Sequence, residues 1–118
     1  MAFTDPQSVT INTVAKSMPR VETSGRQSVY QKDDGEFKMK ISHATKSGRI
    51  RSLVRIDQTK VATDPYTAET VSAMCGVWLV MDRPSAGYYT ATEIDYIVQG
   101  FKTWLSSANV LKVAGQES

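Results

Sequence analysis

The sequence predicts an α+β fold, built as an amino-terminal β-hairpin, an antiparallel β-sheet and two carboxy-terminal helices. Three observations lead there. The stretches "EFKMKISHA" and "RIRSLVRID" alternate apolar and polar residues with the period of two that a half-buried strand requires. From Tyr89 onward the apolar spacing changes to the three-and-four pattern of a helix. Strands therefore come first and helices last, an order that belongs to an antiparallel sheet with segregated helices rather than to alternating parallel units.

Residues 8 to 31 read as short strands, "SVTINTV", "RVETS" and "QSVYQ", with turns at Lys16-Ser17 and Ser24-Gly25. The hairpin is expected within residues 1–24, the central sheet within 27–83 and the helices within 90–114, all in a single domain over 1–118. In "KDDGEF" the aspartates tolerate turn geometry and Gly35 supplies a positive φ, so a tight hairpin is expected there. The strand that follows turns Phe37, Met39, Ile41 and His43 toward the core and Glu36, Lys38, Lys40 and Ser42 toward water. After the turn "TKSG", Ile50, Ser52, Val54 and Ile56 point inward, and Arg49, Arg51, Leu53, Arg55 and Asp57 point outward.

The loop "TDPYTAE" leads into "TVSAMCGVWLVMD", which is apolar on both parities. Cys75, Val77, Leu79 and Met81 are its expected core set, with Cys75 as a buried, reduced thiol. Thr90 caps the first helix and Glu93 returns the bond in the capping box "TATE". Ile94, Ile97, Val98, Phe101, Trp104 and Leu105 then form one apolar stripe. "SSAN" breaks this helix and "VLKVA" forms a second, short one.

Composition narrows the function. With one histidine and one cysteine, the chain has no second member for a Cys/His zinc set or a histidine-based nucleophilic triad. It carries neither a phosphate-cradling glycine loop nor EF-hand ligand spacing. No enzyme activity, cofactor, metal or small-molecule substrate is expected. "MAFTDPQSV" lacks the basic and apolar segments of a secretory signal, and no apolar run approaches the roughly 20 residues that span a bilayer. A soluble protein, cytoplasmic when made and without a membrane partner, is the expectation.

Charge is more informative. The net charge is only +2, yet the segment from Lys38 to Lys60 holds half of the 14 lysines and arginines, with Asp57 as its sole acid. Alternate strand residues stand about 6.6 to 6.8 Å apart, close to the phosphate separation of an extended single strand. Lys38, Lys40, Arg49, Arg51 and Arg55 meet that spacing, and Ser42 and Asp57 add hydrogen-bonding groups. Single-stranded RNA fits better than duplex DNA, because no recognition helix is basic. The alternative is a solvated face whose cations prevent strand-to-strand aggregation. A sheet with one basic face offers only its other face as core, so the apolar helix stripe calls for a partner subunit, a self-covered two-layer monomer being the alternative.

The order of elements, and in particular "FKMKIS", a turn, "RIRSLVRID" and then "ATEIDYIVQGFKTWL" with a short last helix, resembles the coat proteins of single-stranded RNA bacteriophages, the levivirus type. The resemblance extends over nearly the whole chain. It implies the RNA-phage coat protein fold as an interlocked homodimer, with one continuous sheet and the helices of each subunit clasping the other, so that Ile94, Ile97, Val98, Phe101, Trp104 and Leu105 form the dimer interface. It further implies a quasi-equivalent icosahedral capsid around viral single-stranded RNA, assembled in the bacterial host's cytoplasm, with the sheet facing inward. Such coat proteins also bind an RNA hairpin and repress translation. By strand position, the resemblance places Lys38, Lys40, Ser42, Arg51, Leu53, Arg55 and Asp57 toward RNA. It assigns contacts between dimers to loops between strands, for which "TDPYTAE", with Asp64, Pro65 and Tyr66, is the better candidate and the short "KDDG" turn the other. The runner-up function is a small dimeric RNA-binding regulator that forms no shell.

Overall fold

A computed structural model describes residues 3–117. Its first element is a hairpin of β1 (Gln7–Ile11) and β2 (Val14–Met18), paired so that Ile11 faces Val14. Asn12 and Thr13 make the turn at φ 51° and 65°. Two successive positive φ values give the turn class whose twist matches that of the flanking strands. The turn thus precedes Lys16-Ser17, which lie inside β2. An asparagine in the left-handed region, not the lysine-serine pair, marks the reversal.

Five further strands form one sheet in chain order: β3 (Arg20–Ser24), β4 (Gln27–Gln31), β5 (Phe37–Lys46), β6 (Arg49–Thr63) and β7 (Thr70–Pro84). β3 pairs with β4, so residues 20–24 belong to the sheet and not to the hairpin expected over 1–24. The β4–β5 connection closes as "KDDGEF" predicts, with Gly35 at φ 75° and its N–H donating to the Lys32 carbonyl at 2.8 Å. Ser47 and Gly48 turn β5 into β6 in two residues.

The core lies between the hairpin and the β4–β5 part of the sheet. Met18, Tyr30, Phe37 and Ile41 are buried there, with Val9, Ile11, Met39 and Val54 packed against them. Phe37, Met39 and Ile41 thus take the inward positions that alternation assigns. His43 shares their parity but is exposed, because it stands near the β5–β6 turn, beyond this cluster. Its Nδ1 lies 2.9 Å from the Oγ of Ser52, its cross-strand partner.

β7 departs further from expectation. Cys75 is exposed and Val77 is 70% exposed, while Leu79 and Met81 are half-buried. The hairpin cluster draws on β1, β2, β4, β5 and β6 but on no residue of β7, so the edge strand lacks the cover that would make these four a core.

The helices belong to a second compact unit that starts at residue 84. In α1 (Ala91–Trp104) the Thr90 hydroxyl accepts the Glu93 N–H at 3.2 Å and donates to the Glu93 carboxylate at 3.3 Å. The reciprocal bond of the capping box therefore ends on the hydroxyl rather than on the Thr90 backbone. Ser106 caps α2 (Ser107–Ala114), which begins earlier than "VLKVA" because the serine oxygen satisfies the Asn109 N–H. Neither helix contains a buried residue. In the single chain, Ile94 and Val98 are half-buried and Ile97, Phe101, Trp104 and Leu105 are exposed, so the burial expected of the stripe is not reached.

Candidate nucleic-acid interface

β5 and β6 pair in an unbroken antiparallel ladder, with Lys38 opposite Asp57, Lys40 opposite Arg55, Ser42 opposite Leu53, Ala44 opposite Arg51 and Lys46 opposite Arg49. Directly opposed residues share a sheet face. All eight residues singled out on these strands therefore lie on one face, and Lys46, which sequence reading leaves in the turn, joins them. Val29 is buried on the same face opposite Lys40, and Lys40 and Arg55 are half-buried, so the surface is not uniformly wet.

β7 completes the face through its even-numbered residues. Arg49 Nε donates to Asp82 Oδ1 at 3.0 Å, and Arg51 Nη2 lies 3.7 Å from the other carboxylate oxygen. The Arg55 guanidinium sits over the Trp78 ring, 4.7 Å from its centroid, while Arg55 Nε donates to Asp57 Oδ1 at 2.8 Å. Gly76 lies beneath that pair, since a Cβ there would stand 2.5 Å from Asp57 Oδ1. Cys75, Val77, Leu79 and Met81, of opposite parity, occupy the other face.

The electrostatics divide the cations into two groups. The hydrogen bond from Arg49, with the charges of Arg49 and Arg51 behind it, holds the Asp82 carboxyl below its ordinary value. The three arginines of β6 are thus all engaged by carboxylates, at Asp82 or Asp57. Among the described residues, Lys38, Lys40 and Lys46 of β5 have no carboxylate within 4.0 Å. Ammonium groups without a carboxylate partner on one strand and carboxylate-bound guanidinium groups on the next give the face both point charges and planar donors.

The loop residues Asp64, Pro65 and Tyr66 lie between β6 and β7. Asp64 Oδ1 accepts the Tyr66 N–H at 2.8 Å and the Asp64 carbonyl accepts the Ala68 N–H at 2.9 Å, a compact turn that leaves Tyr66 95% exposed. Gly76, Trp78 and Asp82 escaped the sequence reading because both parities of β7 are largely apolar. A signal was present: Ser72 and Asp82 share the even parity, whereas the odd set is apolar from Val71 to Met81.

A family model described as phage phiCb5, coat protein, matches residues 4–84, most of the chain. The chain belongs to that family. This coat protein also shares its fold with solved capsid structures. The virus-like particle of bacteriophage AVE019 matches at TM-score 0.80 and 10% identity, over 94% of each chain. That of Beihai levi-like virus 21 matches at TM-score 0.74 and 11% identity, over 99% of this chain and 97% of the other. The bacteriophage GA protein capsid matches at TM-score 0.61 and 9% identity, over 91% and 88%. No curated protein sequence matches. The family match ends where the sheet unit ends, and the structural matches carry the likeness through the helices. The levivirus-type resemblance of the sequence holds: the protein is a capsid subunit with an antiparallel sheet and two carboxy-terminal helices, a structural component of a virion.

Proposed function

We propose that this coat protein forms interlocked homodimers that assemble into an icosahedral shell around the phage's single-stranded RNA, with the basic sheet face inward. The register of β5 against β6 carries this reading: it collects Lys38, Lys40, Lys46, Arg49, Arg51 and Arg55 on one surface at near-phosphate spacing. Ser42, Leu53 and Asp57 lie among them, and Trp78 adds an exposed ring on which a base can stack. A hairpin of the phage's own RNA, bound for translational repression, would use the same face.

The dimer is supported by what the single chain leaves uncovered. β7 is a 15-residue edge strand rich in exposed apolar side chains, a surface that soluble sheets otherwise blunt or cover. Pairing along β7 with a second copy extends the sheet, and the stripe of Ile94, Ile97, Val98, Phe101, Trp104 and Leu105, half-buried at Ile94 and Val98 and exposed at the other four, gives each copy apolar surface to bury on the other. Tyr66, held out by the Asp64 turn next to Pro65, suits contacts between dimers. The role is structural rather than catalytic, and assembly takes place in the host cytoplasm.

Expression of the protein alone, followed by electron microscopy and the ratio of absorbance at 260 and 280 nm across one size-exclusion peak, tests this. Uniform particles rich in nucleic acid are expected. A dimer that binds RNA but forms no particles at any salt concentration would identify a regulator instead.

A further inference from the structure

We infer that Asp5 and Arg20 form a clasp that closes the β3 edge of the sheet to strand addition, so that copies of this chain join along β7 and the sheet does not grow from both sides. The inference rests on the reading of β7 as the edge along which two copies pair, and it concerns the opposite edge.

An open five-stranded sheet in the order β3-β4-β5-β6-β7 has two edges. An edge strand offers its outward N–H and C=O groups to any other strand. Pairing of two copies through one shared edge closes on itself, whereas pairing through both edges continues without end. β7, 15 residues long, is the edge left open. β3 has five residues and a break in register between Arg20 and Glu22, which shortens its regular ladder. Composition alone does not bar it from pairing, because Val21 is 56% exposed and both Val21 and Thr23 are β-branched strand formers.

The geometry around Arg20 supplies the missing barrier. The Gln31 N–H donates to the Pro19 carbonyl at 3.0 Å, and Arg20 stands opposite Tyr30. Opposed pairs in an antiparallel ladder alternate between bonded and unbonded, so the Arg20 N–H, next to the Pro19–Gln31 bond, points away from β4 and toward the open edge. There it donates to Asp5 Oδ1 at 2.8 Å. Pro19, before it, has no N–H to offer. The start of this edge therefore keeps no free donor for an incoming strand.

The side chain of the same residue completes the clasp. Arg20 Nη2 donates to the Phe3 carbonyl at 2.9 Å and to the Tyr30 hydroxyl at 3.0 Å. Tyr30 is fully buried, so the guanidinium ties residues 3–5 to the core rather than to another surface group. Hydrogen bonds with an ionised partner are the stronger kind, and Arg20 directs both its backbone and its side chain to the same short segment. Residues 3–5 are thereby held against the first residue of β3, where an added strand would otherwise pair.

The test compares the full-length protein with Asp5→Ala, Asp5→Asn and the double variant Asp5→Ala/Val21→Lys. Asp5 is exposed and outside the core cluster, so its substitution spares the fold. Below the assembly concentration, Asp5→Ala should speed exchange of the Arg20 amide about tenfold, the effect of losing one hydrogen bond, while exchange at Phe37 and Ile41 stays slow. Asp5→Asn keeps an acceptor oxygen and should change that rate little. At assembly concentration, electron microscopy should show open sheets or ribbons in Asp5→Ala at the expense of closed particles. Val21→Lys should restore the closed form by placing a charge on the freed edge, a rescue that a general loss of packing would not show. Unchanged Arg20 exchange in Asp5→Ala, a normal yield of closed particles from it, or open assemblies that Val21→Lys does not correct each overturn the inference while the assembly reading stands. If the unmodified protein forms no particles, the assembly reading fails, and the inference is then decided by light scattering: species no larger in Asp5→Ala than in the unmodified protein overturn it, and larger ones uphold it.

Discussion

Asp82 stands 3.0 Å from Arg49 and 3.7 Å from Arg51, so a phosphate that approaches either arginine must compete with a carboxylate. Asp82→Asn should therefore raise RNA affinity and steepen its salt dependence by about one to two phosphate equivalents, read from titrations at several salt concentrations. The pH dependence has a definite sign. A carboxyl held below its ordinary value of 3.8 contributes stability above that pH and loses it as pH falls through the folded value. Melting temperatures measured from pH 6 downward should fall less steeply in Asp82→Asn than in the unmodified protein. In the core, Phe37 is 3% exposed among Met18, Tyr30 and Ile41, and Phe37→Ala should cost about 3 to 5 kcal/mol in urea unfolding.

Among the elements, the β1–β2 hairpin contains a local conflict. Thr13 has a φ of 65°, a region that disfavours β-branched residues, and its hydroxyl bonds only to the adjacent Asn12 carbonyl, at 2.6 Å. Thr13→Gly should stabilise the protein by about 1 kcal/mol, the order of the left-handed penalty it removes, measured by denaturant midpoint. The sheet was legible in sequence wherever one face is wet: the alternation from Phe37 to Ile56 assigned both faces of β5 and β6, and the cations expected on one face lie there. Where burial is not one-sided, alternation loses its meaning. β7 shows this, since its parity is decided by Gly76 beneath Asp57, Trp78 beneath Arg55 and Asp82 beside Arg49, all contacts across strands. The helices declared themselves by period and cap, although Ser106 opens α2 earlier than its apolar residues suggest.

At the scale of the whole molecule, the single chain leaves much of its apolar surface in water. Trp104 is 53% exposed and Val77 is 70% exposed. Large apolar surface left open in this way marks an interaction site. Trp104→Ala and Val77→Lys should consequently leave the secondary structure of the chain intact, while shifting assembly toward smaller species by an order of magnitude or more in protein concentration. Light scattering coupled to size exclusion would measure that shift. A normal particle yield from both variants would show that neither surface takes part in assembly.

The sequence by itself determined the class of fold, the order of its elements, the basic face of β5 and β6 and the amphipathic character of α1. Each follows from a period, a cap or a turn residue that acts over a few neighbours. Only the tertiary structure decided that the hairpin covers the β4–β5 core, that His43 and Cys75 are exposed, and that Trp78 and Asp82 join the basic face. Those outcomes depend on which strands lie side by side and where one layer ends over another, and no local pattern of residues contains that distance information.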